Sequence, residues 1–468
     1  MSGSAGRRNI NRNVCLFEGG DALNRTYRLY ALMLVMMTTA GLLAGCAGSK
    51  VQPGTGGEAA APAPSDEPVE LAFWLHVGSI SDNESFMKVF GDKIKEKFPN
   101  VTPKFIAPGK GVSLKSLVET QEPIDIFYDA YGQLHQYLLE YGLQYDISEL
   151  MKKYKYDSSK LEPTSVAAMR EVAKGGMYGL PVSVDSVNIL YNKGLFDRFG
   201  VPYPTDNMTW EDMYDLTKKM ARVEGGVRYM GLGMSPMHVT IADQLGPEFV
   251  DKTKNQAMFS SDTFKKMFQT LTQFYTITNN KPDSTSWNYS SQQLEMFKKQ
   301  QIAMLLSVSA TGTRIIADKE PGLEWDVAAY PHYKEKKNVG PQLNPGYFLI
   351  PVMSKHKDMA FQVTAYVTSE EFQKHMARKG YSPILKDAAV WAEYGKDLPF
   401  MKGKNIKAMI PDNPAPIVPA TPYHAIAKAE LETIMKDILL NGKDMNTTLR
   451  EADERANQKI AEKMAQKK

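Results

Sequence analysis

Apolar positions along the chain follow two alternating rhythms. VELAFWLH (69–76) is a dense apolar run that predicts a strand. Phe86, Val89, Phe90, Ile94 and Phe98 then share one helical face. VTPKFIA (101–107) predicts a second strand and IDIFYDA (124–130) a third. Strands alternating with helices of this length predict an α/β architecture built on a largely parallel sheet. Farther along, Phe264, Met267, Phe268, Leu271, Phe274 and Tyr275 keep a helical spacing, with Asp262 as the expected cap. Thr209 and Asp212 predict a capping box that opens WEDMYDLTKKMARVEG. Leu431, Ile434, Met435 and Ile438, then Leu449, Ala452, Ala456 and Ile460, predict further helices, so the second half is mainly helical.

Two strand-like segments join stretches of different character: SVNILYN (186–192) and NPGYFLIP (344–351). The body from residue 69 onward, roughly 400 residues, exceeds what one core serves and predicts two domains. The two segments are where the chain is expected to cross between them. In ILYNKGLFDRFGVPYP (189–204), Asn192 is the expected cap of a short helix over 193–199. Gly200 suits a left-handed stop, and Pro202 and Pro204 prevent continuation.

The N-terminal pattern is different again. Arg25 and Arg28 precede LYALMLVMMTTAGLLAG (29–45), which closes on Leu43-Ala44-Gly45-Cys46. A basic region, a short apolar run and small residues before a cut site predict a secretory signal over 1–45. The run is short for a membrane span, which needs roughly 20 apolar residues. Leu-Ala-Gly-Cys resembles the bacterial lipobox, which implies alkylation of the Cys46 thiol with diacylglycerol, then cleavage before Cys46, and a palmitate-bearing anchor. Residues 46–68, rich in Ala, Gly and Pro, predict a flexible tether. Cys15 and Cys46 are the two cysteines, so the mature chain has neither a disulfide framework nor a cysteine metal site. The whole chain carries a net charge of +3. Five Arg against Glu18 and Asp21 put that excess in residues 1–45, leaving the mature chain formally neutral. A neutral mixed surface argues against nucleic acid as a partner and leaves membrane attachment to the acyl chains of Cys46.

Enzyme motifs are scarce. There is no H-E-x-x-H and no P-loop; GLGMSP (231–236) has Pro where a dinucleotide fingerprint needs its third Gly. GMSPM (233–237) has Met237 where a nucleophile elbow needs Gly. The seven His, at 76, 135, 238, 332, 356, 375 and 424, stand singly and read as surface or packing residues. No metal or cofactor is expected. Aromatic and polar residues do gather near predicted strand ends, where open α/β sheets bind ligands. They are Trp74, His76, Tyr128, Asp129 and Tyr131, with Asp185, Trp287, Tyr347 and Tyr381 farther on. A flat aromatic face packs on the C–H face of a sugar ring, and a carboxylate accepts from its hydroxyls. Asp125, Asp129 and Asp185 also leave open a glycosidase pair of carboxylates.

YGLPVSVDSVNILYNKGLFDRFGVPYPTDNMTWEDM (178–213) resembles the most recognisable block of the extracellular solute-binding protein family 1, the maltose-binding-protein-like receptors of ABC importers. EPIDIFYDA, FKKQQIAMLLS (297–307), WDVAAYP (325–331) and NPGYFLIPVMSKHKDMAFQVTAYVTSEEFQ (344–373) follow the family's order. The resemblance implies a type II periplasmic-binding-protein-like fold: two α/β lobes joined by hinge strands around a central cleft. One lobe would comprise 69–184 and 345–390, the other 185–344 and 391–468. It implies a non-enzymatic, monomeric, lipid-anchored receptor on the outer face of the cytoplasmic membrane. The receptor would bind a carbohydrate, expected to be an oligosaccharide, and deliver it to an ABC permease, the alternative being the same role for a non-sugar solute. Asp185 stands where maltose-binding relatives turn a carboxylate toward sugar, and Tyr128, Asp129 and Tyr131 fall at the family's contacts after the third strand. SVSATGT (307–313) replaces a stretch that often supplies a stacking Trp, so the site departs from a maltodextrin site.

Overall fold

The computed structural model describes residues 67–75, 80–109, 111–316 and 322–466. The expected signal, the tether to residue 66, Cys46 and His76 lie outside the described residues. Two five-stranded sheets organise the rest. The first uses β1 (Val69–Leu75), β2 (Val101–Ile106), β3 (Ile126–Ala130) and β4 (Gly179–Asp185). The second uses β5 (Val187–Asn192), β6 (Arg222–Glu224), β7 (Val227–Met234), then, after the small pair β8 (Val250–Asp251) and β9 (Gln256–Ala257), β10 (Ile302–Val308) and β11 (Trp325–Ala328). The chain then returns, and β12 (Asn344–Leu349) completes the first sheet. The orders are β2-β1-β3-β12-β4 and β11-β5-β10-β7-β6.

The chain therefore changes sheet twice. Only Ser186 separates the end of β4 from the start of β5, while residues 329–343 make the return. Each sheet has its own core. Phe73, Phe127, Leu180 and Phe348 belong to the first, and Ile189, Phe196, Trp210 and Leu305 to the second. Ala377, Ile384 and Val390 pack in the second core, ahead of residue 391 where the sequence placed that change of lobe.

The largely parallel sheet is only partly realised. β1 pairs in parallel with β2 and β3, but β12 runs antiparallel to β3 and β4. In the second sheet only β10 and β7 are parallel. For β6 and β7 the cause is connection length. β6 and β7 join through Gly225-Gly226, at φ 57° and 78°, and so tight a hairpin forces antiparallel pairing. The glycines of GLGMSP serve packing: a Cβ on Gly231 would lie 2.3 Å from the Thr217 carbonyl oxygen, so β7 approaches the helix that bears Thr217 more closely than any side chain allows.

Local chemistry in 186–204 follows the expected course. The Asn192 carboxamide accepts from the Leu195 N–H at 3.1 Å and caps α1 (Lys193–Phe199). Gly200 adopts φ 62°, and the Val201 N–H donates to the Phe196 carbonyl at 3.0 Å. The Thr209–Asp212 box opens α2 (Trp210–Met220) with reciprocal bonds of 3.1 and 2.9 Å. The expected Asp262 cap is displaced by one residue. Ser261 has the extended backbone of a cap and accepts from Phe264 N–H, while Asp262 lies in the first turn, where its charge suits the helix dipole. Among the described residues no helix is long and apolar enough to cross a membrane.

Candidate functional site

The ends of several strands converge on a cavity of about 250 Å³ that both lobes line. The first lobe contributes Ala130, which ends β3, Tyr131 to Gln133 just after it, and Asn344 at the start of β12. The second contributes Val187 and Val308 from β5 and β10, together with α3 (Pro236–Ile241) and Phe249. Asp185 and Ser186 sit at the floor, where the chain passes from one sheet to the other. Ile417, Val418 and Ala420 close a further side, with His424 and Lys428 of α4 (His424–Lys428). Ion pairs also join the two sides, Lys463 to Glu140 at 2.7 Å and Lys252 to Glu171 at 3.9 Å.

Polar groups in the wall are held firmly. Gln342 donates through its backbone N–H to Ala242 at 2.8 Å and through its amide to the Asp243 carbonyl at 2.9 Å. Its side-chain oxygen accepts from Val418 N–H at 2.7 Å. His238 and Ser235 share a hydrogen bond of 2.6 Å between Nδ1 and Oγ. Burial holds the His238 imidazole below its ordinary pKa, against the opposing charge of Asp185, so the ring is neutral near pH 7. Burial, aided by the positive charge of Lys428, pushes His424 down to about 3. Lys428 is lowered by burial too, with the Asp129 charge opposing. The charged groups that line the cavity among the described residues are thus one carboxylate, Asp185, and one ammonium, Lys428.

Of the residues that the sequence singled out, the structure brings Tyr131 and Asp185 to this cavity. Tyr131 is almost wholly buried, beside the Ala420 backbone, and burial raises its phenol to about 12. The others are elsewhere. Trp74 and Tyr347 are in the first core, and the Tyr347 hydroxyl donates to the Ser165 carbonyl at 2.8 Å. Tyr128 lies edge-on to Phe348, with its hydroxyl 3.2 Å from Ser183 Oγ. Asp129 is fully buried, accepts from Ala130 N–H at 2.9 Å and acts on the site through its charge on Lys428. Trp287 lies under the Lys436 ammonium, and Tyr381 packs on the first core; neither lines the cavity.

Sequence reasoning missed Phe249, His238, His424 and Lys428 at this cavity. The two His were read as surface or packing residues. The i, i+4 spacing of His424 and Lys428 puts them on one helical face, but nothing local says what that face meets. No cluster of metal-ligating side chains occurs among the described residues. A Ser–His pair and a nearby carboxylate occur here, yet Ser235 follows β7 at the N-cap position of α3 with an ordinary extended backbone, without the strained elbow that presents a nucleophile.

A family model described as bacterial extracellular solute-binding protein matches residues 78–374. A probable sugar-binding periplasmic protein of Mesorhizobium japonicum is 26% identical over 276 residues, covering 56% of this chain and 63% of the relative. The matched region thus spans less than two thirds of that relative's length. Among solved structures, an ABC substrate-binding protein from Listeria monocytogenes in complex with cycloalternan superposes with a TM-score of 0.68 at 20% identity, over 84% of this chain and all of that one. A sugar transporter from Rhizobium etli in an open conformation gives 0.68 at 21%, over 83% and 99%. The architecture is that of the type II periplasmic binding proteins.

Proposed function

Because this chain belongs to the bacterial extracellular solute-binding proteins, we propose that it is a receptor that binds a carbohydrate between its lobes and delivers it to an ABC permease. The observation that carries this reading is the cavity, whose lining combines Tyr131 and Phe249 with Asp185, Gln342 and Asn344. Aromatic faces take sugar C–H surfaces, while carboxylate and amide groups take hydroxyls. The wall comes from both lobes, so a solute that touches both favours the closed arrangement by its differential affinity. Ser186 and residues 329–343 are the proposed hinges. Residues 69–184 with the segment from 345 form one proposed lobe, and 185–344 with the C-terminal segment the other. The last proposed change falls ahead of 391, because Ala377, Ile384 and Val390 join the second core. The receptor works as a monomer and has no catalytic step. An oligosaccharide is the solute expected from the sequence resemblance, and the likeness to a probable sugar-binding protein of Mesorhizobium japonicum supports a sugar.

A thermal-shift screen of the purified protein tests the solute class. Neutral and acidic sugars from one ring upward are compared with amino acids, polyamines and glycerophosphodiesters. At a hundredfold excess over Kd a true ligand adds about 2.7 kcal/mol to stability, a clear upward shift in Tm. A response confined to non-sugars would refute the carbohydrate assignment.

The same reading makes the receptor a lipoprotein anchored by Cys46 to the outer face of the membrane, supported by the Leu-Ala-Gly-Cys sequence. Its tether would keep the receptor near the permease and raise its effective concentration. Metabolic labelling with a palmitate analogue is expected to mark the wild type and not Cys46→Ser. Equal labelling of both would remove the anchor from this account.

A further inference from the structure

His238 lines the cavity from α3 with a half-buried ring, and its Nδ1 turns back to Ser235 Oγ at 2.6 Å. Nε2 makes no hydrogen bond to a described residue, so it is the ring's free polar atom. Which nitrogen carries the proton follows from the hydroxyl. Ser235 holds the N-cap position of α3, yet its side chain makes no cap bond. Its Oγ meets no acceptor other than Nδ1 among the described residues, and the residue is almost wholly buried. A serine hydroxyl has one proton to donate, and a buried O–H without an acceptor is strongly disfavoured. A proton on Nδ1 would take the Oγ lone pair and leave that O–H with nothing to meet. The hydroxyl therefore donates to Nδ1, and the ring, kept neutral by burial, carries its proton on Nε2.

An Nε2–H gives the cavity a donor that cannot accept. Asp185, near enough for its charge to act on the ring, lines the same cavity with a group that accepts. Its two oxygens have about four lone-pair sites, room for a solute beside its engagement within the fold. A hydroxyl answers both groups at once: its oxygen accepts from Nε2–H, and its hydrogen goes to the carboxylate. Two neighbouring hydroxyls do the same. An ether or ketone oxygen serves the ring alone, and an ammonium sets N–H against N–H. Resting on the carbohydrate reading above, we propose that His238 is a specificity-determining residue whose Nε2–H holds a solute hydroxyl, and that Ser235 is the positioning residue that fixes the ring for this contact.

Two measurements on the full-length protein test this. Long-range proton–nitrogen correlation on protein labelled at histidine nitrogen reads the tautomer with no solute present, and His238→Leu identifies the His238 signals by their loss. The wild type at neutral pH is expected to hold the proton on Nε2; a proton on Nδ1 overturns the proposal. In Ser235→Ala the Nδ1 resonance should move, because the hydroxyl is gone, and in Ser235→Thr it should stay near its wild-type position. Calorimetric titration then reads the contact, with whichever of glucose, galactose, maltose, cellobiose and raffinose binds the wild type. His238→Leu should weaken that binding about tenfold and Ser235→Ala about threefold, while Ser235→Thr stays within about twofold. Unliganded melting curves identify any loss of folding. Unchanged affinity in folded His238→Leu overturns the contact, and unchanged affinity with an unmoved Nδ1 signal in Ser235→Ala overturns the positioning role. If none of these sugars binds but glycerophosphocholine or spermidine does, the carbohydrate reading falls. His238→Leu titrated with that solute then decides the rest. Weaker binding of glycerophosphocholine, which has hydroxyls, supports the contact; unchanged binding, or any dependence of hydroxyl-free spermidine on His238, overturns it.

Discussion

Asp185→Ala is expected to weaken solute binding by about ten- to a hundredfold while leaving the unliganded melting temperature nearly unchanged. Asp185 ends β4 opposite Asn344 of β12, so its backbone is held in the sheet whatever its side chain. Its carboxylate is half-buried at the cavity floor, where its charge is felt by His238. A carboxylate that accepts from solute hydroxyls makes charge-assisted bonds worth about 1.5–3 kcal/mol each, which sets the size of the loss. Asp185→Asn keeps one acceptor and should lie between wild type and alanine. Calorimetric titration with whichever solute stabilises the wild type provides the measurement. An unchanged Kd in Asp185→Ala would place the solute away from this floor. A large fall in unliganded stability would instead make Asp185 a structural group of the crossing.

Much of this arrangement is visible in the chain before it folds. Cap, helix and stop in 192–204 depend on neighbours a few residues away, and each occurs where local rules put it. Strand positions in 69–130 are equally local. What the sequence shows poorly is which side of a strand end meets the cavity. Tyr128 and Tyr131 are three residues apart, yet one leans on Phe348 and the other faces the solute site. Tyr347 resembles a ligand contact in every local respect, but its strand runs between β3 and β4, which buries it on both sides. His424 and Lys428 reach the site from a helix more than two hundred residues after Asp185. Their neutral ring and unpaired ammonium are consequences of burial that no spacing announces. The sheet directions are hidden from local sequence for a related reason. Alternation of strands and helices carries no record of a chain that leaves one sheet for another and later returns.

Asp243→Asn is expected to make the protein more stable above pH 7 and to flatten its pH dependence. Asp243 follows α3 and is fully buried. Its carboxylate accepts from Leu245 N–H at 2.8 Å and from the Tyr333 hydroxyl at 3.0 Å. Gln244 ties the same segment to the return crossing, accepting from Tyr333 N–H at 3.1 Å. Charges around it are sparse: Tyr330 and Tyr333 on the crossing are neutral phenols, and Lys266, whose charge favours ionisation, is engaged by Glu335. Burial therefore raises the Asp243 carboxyl from 3.8 to about 7. The sign follows from proton counting. Between about pH 4 and 7 the folded protein holds a proton on Asp243 that the unfolded chain has released, so the folded state binds more protons. Stability then falls as pH rises, by about 1.4 kcal/mol per pH unit, and the loss is complete above the folded value, at roughly 4 kcal/mol. Asparagine removes the titration. Its oxygen still accepts from Leu245, and its amide can donate to the Tyr333 oxygen, so little is lost at low pH. Urea unfolding at pH 5 and pH 8 checks the difference. Asp243→Asn should exceed wild type by roughly 1.5 kcal/mol at pH 5 and by roughly 4 kcal/mol at pH 8. Parallel profiles for the two proteins would mean that the buried carboxyl stays in one protonation state throughout, held there by groups other than the two phenols and Lys266.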